Sequence, residues 1–170
     1  MSKKAVFIIA QNGFRDEELL EPKAVLDDRG IQTKVASRTR KKALGKLGTE
    51  IEPDLALAEI RPQDFDAVIF VGGPGAVEYL ADPLAWNLAK GFKQAGKVVA
   101  AICLAPSILA NAGLLISKTA TAFPSEENNL KAKGADYTGM PVEVDQNIVT
   151  AIGPEAAKEF GEQIAYLLAA

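Results

Sequence analysis

Val98-Val99-Ala100-Ala101-Ile102-Cys103 is an apolar run ending on the chain's only cysteine, and Ala105-Pro106-Ser107-Ile108-Leu109-Ala110-Asn111-Ala112-Gly113 follows it with a helix-like pattern. This reads as a strand, a sharp turn and a helix, with a nucleophile candidate at the turn. The residues two away from Cys103 on either side are Ala101 and Ala105. A strand-to-helix elbow needs small side chains there, because a larger substituent would clash in the tight turn. Such an elbow sets the sulfur near a helix N-terminus, where free amides and the dipole favour thiolate over thiol. The alternative is a buried core cysteine, since free cysteine is among the most buried residue types. The chain has no histidine. A Cys-His dyad within it is therefore excluded.

Outward from this elbow, apolar runs alternate with helical patterns. Ala5-Val6-Phe7-Ile8-Ile9-Ala10 reads as a buried strand, followed by a helix over about 16–28 that holds Pro22 and ends near Gly30. Residues 31–37 form the next strand, 40–52 an excursion with short strands around Gly45 and Gly48, and 53–60 a mixed stretch with room for a short helix. Asp66-Ala67-Val68-Ile69-Phe70-Val71 is apolar enough for a parallel sheet covered on both faces. A helix is expected over about 82–95, and short strands around 119–122 and 149–152 are expected to complete the sheet. Val142-Glu143-Val144 and Ile148-Val149-Thr150 flank a hairpin turn at Asp145-Gln146-Asn147, and 155–169 form a closing helix. This order predicts one α/β domain over 1–170, a mostly parallel sheet with helices on both faces. Sites in such folds lie at the carboxyl ends of the strands, which singles out the loops 11–18, 72–75 and 103–106.

Composition narrows the function. With 170 residues, 48% apolar, 24% charged and a net charge of −3, the chain has no general pull toward nucleic acid or anionic membrane. The local cluster Arg38, Arg40, Lys41, Lys42 and Lys46 reads as a solvated hairpin rather than a polyanion site. One cysteine forms no internal disulfide, and no stretch has the length of a signal sequence or a bilayer span. The cytoplasm is the expected location.

Two further segments bear on Cys103. Gly72-Gly73-Pro74-Gly75 lacks the spacing of a phosphate or dinucleotide loop. Beside the cysteine, its amides would join the Leu104 amide as an oxyanion hole. Glu17 and Glu18 stand in a first helical turn, where acids commonly do no more than favour the dipole. A carboxyl next to a thiolate has its pKa raised and stays protonated. With no imidazole available, a carboxyl is the best remaining proton shuttle.

Phe14-Arg15-Asp16-Glu17-Glu18-Leu19-Leu20-Glu21-Pro22, Val71-Gly72-Gly73-Pro74-Gly75 and Ala100-Ala101-Ile102-Cys103 with Ala105-Pro106 together resemble three ordered signatures of the PfpI/DJ superfamily. The resemblance implies a flavodoxin-like three-layer sandwich with a nucleophile elbow. It implies Cys103 and Glu18 as catalytic residues, Gly73 and Leu104 as oxyanion or anion site, and Gly72, Phe123 and Pro124 as pocket lining. It implies a homodimer or higher homo-oligomer, without cofactor or metal. The chain departs from the family at Leu104 and Phe123, where members carry histidines. A peptidase of the PfpI type needs proton delivery to an amine leaving group, and the missing imidazoles weigh against it. A glyoxalase- or deglycase-like enzyme on small reactive carbonyls needs only a thiolate and one proton carrier. A non-catalytic oxidative-stress sensor or chaperone using oxidation of Cys103, a member acting only through its dimer surface, and amidase or hydratase chemistry are the alternatives.

Overall fold

The computed structural model describes all 170 residues. In chain order the elements are β1 (Lys4–Ile8), β2 (Asn12–Phe14), α1 (Asp16–Asp28), β3 (Gln32–Ser37), β4 (Ala43–Gly45), β5 (Glu50–Ile51), β6 (Leu55–Ala56) and β7 (Ala67–Phe70). They continue with α2 (Val77–Leu80), α3 (Pro83–Gln94), β8 (Val98–Ile102), α4 (Pro106–Asn111), β9 (Thr119–Ala120), α5 (Glu127–Ala132), β10 (Asp136–Tyr137), β11 (Val142–Asp145), β12 (Ile148–Ala151) and α6 (Ala157–Ala169).

Seven strands form the main sheet in the order β11-β12-β8-β7-β1-β3-β6, parallel except for β11. The alternation of side chains along each strand explains why the runs are apolar throughout. Ala5 and Phe7 of β1 face one core, while Val6 and Ile8 face the other. The two cores hold 25 and 24 buried residues, so neither face is left to solvent. One is closed by α1 and α6, the other by α3, α4 and α5. Pro22 does not interrupt α1, and its ring side packs against Gly161 of α6. No helix is long and apolar enough to cross a membrane.

One expectation needs correction. Residues 119–122 do not join the main sheet; β9 pairs with β10 in a separate two-stranded sheet. The cause is that the Thr119 and Thr121 amides donate to side chains, Asp145 Oδ2 at 2.8 Å and Thr150 Oγ1 at 3.0 Å, instead of to a strand backbone. The stretch 53–60 is mixed as expected, holding the edge strand β6 and a short 3-10 helix over Leu57–Glu59. The excursion after β3 does form short strands, and β2, β4 and β5 make a small sheet of their own. That sheet stands at the carboxyl end of the main one, and the β4–β5 connection is tied to the chain just before α1.

Candidate active site

β1, β7 and β8 are neighbours in the sheet, so the loops leaving their carboxyl ends converge. The loop after β1 is tied to the loop after β7 by the Arg15 amide donating to Gly72 O at 2.9 Å. The loop after β8 begins with Cys103, one of three non-glycine residues with positive φ, at 65°. A left-handed conformation is costly for a residue with a Cβ and persists where neighbours over-determine it. Here they do. The Cys103 amide donates to Ala151 O at 2.9 Å, and its carbonyl accepts from the Phe123 amide at 2.9 Å. The elbow expected from Ala101 and Ala105 is therefore present, with both alanines fully buried.

Glu18 reaches this elbow from the first turn of α1 and is 0% exposed. Neither of its carboxyl oxygens makes a well-formed hydrogen bond, though the Cys103 thiol and the Gly72 amide stand close enough to act on it. Burial pushes its pKa up to about 7, against weaker pulls from the Cys103 thiol, the Gly72 amide and Arg15. Cys103 is 8% exposed. Burial, followed by the adjacent Glu18 charge, pushes its thiol up to about 12, while the amides of Gly73 and Leu104 pull it down. The amides at the start of α4 favour the thiolate, but α4 is only six residues long and the loss of water weighs more. The pair titrates as a unit: one proton leaves near neutrality and the other is held far above it.

Gly72 fills the space between the two groups. A Cβ there would stand 2.5 Å from Glu18 Oε1, 2.6 Å from Ile102 O and 2.7 Å from Cys103 Cβ. Gly73 has φ +103°, a conformation that suits glycine. Gly72→Ala is expected to cost about 1–3 kcal/mol by overpacking against rigid backbone. Equilibrium urea unfolding checks this as a lowered midpoint at unchanged slope.

Above the sulfur is a hollow of about 250 Å³ lined by Arg15, Lys46, Gly73, Pro74, Cys103, Leu104, Phe123 and Pro154. Of the residues expected to line it, Phe123 does so and is 43% exposed. Gly72 does not, since it is buried beneath the sulfur, and Pro124 does not, since it is exposed in the turn that follows Phe123. Arg15, Lys46, Pro74 and Pro154 were missed. A larger polar hollow of about 500 Å³ lies around Lys4, Gln32 and Lys97, at the opposite end of the strands and away from the cysteine. No group of three or more acidic, cysteine or histidine side chains is placed to hold a metal ion.

The elbow, the glycine turn and the buried glutamate thus come from the three segments whose signatures were read in the sequence. A family model described as the DJ-1/PfpI family matches residues 3–167. The chain belongs to this family. The crystal structure of a ThiJ/PfpI domain protein from Brachyspira murdochii superposes with a TM-score of 0.97 at 34% identity, covering 99% of this chain and 97% of that one. An uncharacterized protein of Methanocaldococcus jannaschii is 41% identical over 169 residues, which cover 95% of this chain and 80% of the relative. A protein of Pyrococcus abyssi named as a deglycase is 34% identical over 149 residues, 88% of this chain and 90% of the relative. Within this DJ-1/PfpI chain the two acids preceding Glu18 have separate tasks. Glu17 pairs with Arg15, Oε2 to Nη2 at 2.9 Å. Asp16 accepts from the Leu47 and Thr49 amides at 2.8 and 2.9 Å.

Proposed function

We propose that the protein is a cysteine-dependent enzyme acting on small reactive carbonyl compounds, with 2-oxoaldehydes such as methylglyoxal as the model substrate. The observation that carries this reading is the pairing of Cys103 with Glu18, a buried carboxyl without a well-formed hydrogen bond, directly below a small open hollow. Above about pH 7 the pair holds one proton. With that proton on Glu18, the carboxyl no longer repels the sulfur and donates to it, and the Gly73 and Leu104 amides add to the stabilisation of the thiolate.

In the reaction, the sulfur bonds to the aldehyde carbon and the carbonyl electron pair moves to oxygen, which takes the proton from Glu18. The carboxylate so formed removes the hydrogen now on that carbon. The electron pair passes through an enediol as the first oxygen gives up its proton to the second, and Glu18 delivers the proton it took to the neighbouring carbon. The result is a thioester, which water hydrolyses to a 2-hydroxy acid and the free thiol. Atoms balance as oxoaldehyde plus water giving hydroxy acid, without a cofactor. The Gly73 and Leu104 amides are assigned the negative oxygen that forms at each addition.

The deglycase name carried by the Pyrococcus relative supports carbonyl chemistry. Two competing readings are less well supported. Peptide hydrolysis lacks an imidazole to protonate the amine, because the chain has no histidine. An oxidation sensor would use the same thiolate, but nothing in that role calls for the open hollow above the sulfur. Incubation with methylglyoxal followed by proton NMR is expected to show lactate accumulating. No lactate and no consumption of the aldehyde above a protein-free control would overturn the reading.

A further inference from the structure

The hollow above Cys103 carries two cationic side chains, Arg15 and Lys46. They are not equivalent. Arg15 is occupied by Glu17, which accepts from Nε at 3.0 Å and from Nη2 at 2.9 Å. Lys46 has no carboxylate within salt-bridge distance, unlike Arg38, Arg40 and Lys42 of the basic stretch, and unlike the equally unpaired Lys41 it lines the hollow. Arg38 pairs with Asp82 at 2.7 Å, Arg40 with Glu59 at 2.6 Å and Lys42 with Glu50 at 3.4 Å. Lys46 is thus the uncompensated positive charge at the rim of the hollow.

Its place is also fixed. The Lys46 amide donates to Phe14 O at 2.8 Å, one residue before Arg15. The next residues are held by Asp16, whose buried carboxylate takes the Leu47 and Thr49 amides and packs against Gly45. Burial alone would raise the Asp16 pKa, but the hydrogen bonds from Thr49 and Leu47 hold it below the ordinary value. An ionised, fully used carboxylate therefore anchors the loop that presents Lys46. An acid spent on holding a loop, together with an unpaired lysine over a nucleophile, is an arrangement for receiving a negatively charged group.

We infer that this cleft selects carbonyl compounds that also carry an anionic oxygen group, a carboxylate or a phosphate, and that Lys46 is the residue that selects them. This rests on the carbonyl reading above, which supplies the reacting end of the molecule. Lys46 then attracts the anionic end, with Arg15 beside it, while the aldehyde carbon meets the sulfur. The sulfur–carbon bond forms as the carbonyl electron pair moves to oxygen and takes the Glu18 proton, giving a hemithioacetal.

Alkylation of Cys103 by iodoacetate and by iodoacetamide reads the charge preference without requiring any turnover. The anionic reagent is expected to gain relative to the neutral one, and Lys46→Met to lower the rate ratio roughly fivefold, the scale of one exposed charge pair. Lys46→Arg should keep the preference, and high salt should shrink it in the wild type. Asp16→Ala separates placement from charge. Removing an acid should favour the anion if charge alone matters, whereas losing the loop's anchor should lower the ratio toward that of Lys46→Met. A ratio unchanged in Lys46→Met overturns the inference.

Protection of Cys103 from iodoacetamide by glycolaldehyde, glyoxylate and glycolaldehyde phosphate then identifies the anion. Better protection by glyoxylate supports a carboxylate, and better protection by glycolaldehyde phosphate supports a phosphate. Equal protection by all three overturns the selection. A retained iodoacetate preference with no aldehyde protection keeps the anion seat and overturns the carbonyl reading instead.

Discussion

Replacing Cys103 with serine is expected to lower lactate formation from methylglyoxal by at least about a thousandfold, while the chain stays folded. The hydroxyl is a far weaker nucleophile than a thiolate at neutral pH, and no histidine exists to activate it. The fold should tolerate the change, because what holds position 103 is backbone: its amide on Ala151 O and its carbonyl on the Phe123 amide. The side chain itself is small and contributes little to either core. Initial rates by NMR or a coupled lactate assay, read beside urea midpoints, check both halves. A Cys103→Ser protein that turns over at the wild-type rate means the chemistry lies elsewhere.

Replacing Glu18 with glutamine is expected to have opposite effects on stability and on rate. The carboxyl titrates at about 7 when folded, against an ordinary value of 4.5. A raised acid pKa means that the folded state binds the proton more tightly than the unfolded state. Stability is therefore greatest below about pH 4.5 as far as this group is concerned, and falls as pH rises toward 7. Above that the penalty is constant, on the order of 3 kcal/mol for this shift. Glutamine has no charge to bury, so Glu18→Gln should be more stable at pH 8 and should lose this part of the pH dependence. Urea unfolding at pH 5 and pH 8 in both proteins measures it. Activity should move the other way. In the wild type kcat/KM should rise as the pair loses its first proton near pH 7. In Glu18→Gln that limb should shift up toward the ionisation of the thiol alone, and the rate at pH 7.5 should fall about a hundredfold. A Glu18→Gln variant that keeps the wild-type profile removes Glu18 from the reaction.

The parts of the site legible in the sequence were those encoded within one short segment. Val98 to Ile102 is apolar throughout, and alanines flank the cysteine at the positions where a turn has no room; together these specified the elbow at Cys103. The bounds of α1 were equally local, with acids in its first turn and Gly30 just past its end. What could not be read was anything assembled across the chain. Lys46 looked like one member of a solvated basic run. Only the fold shows that Arg38, Arg40 and Lys42 find carboxylates and Lys46 does not. Nothing local to Asp16 reveals its role, because its partners are amides 31 and 33 residues away. How deeply the thiol is buried is not legible for the same reason, since burial is set by packing and not by neighbours in sequence. Residues 119–122 were misplaced because their amides found side chains from β11 and β12 rather than a strand backbone.

The bond from the Cys103 amide to Ala151 O also ties the cysteine to the order in which the chain is made. Synthesis delivers the N-terminus first, so Cys103 leaves the ribosome well before β12 does. Until β12 docks against β8, the elbow lacks one of its two backbone ties, and the sulfur is an ordinary wet thiol with a pKa near 8.5. Completion of the sheet takes that thiol out of water and raises its pKa to about 12. The nascent protein therefore carries a lone wet thiol, and only the finished sheet sets it against Glu18, so electrophiles in the surrounding solution meet an unpartnered sulfur during that interval.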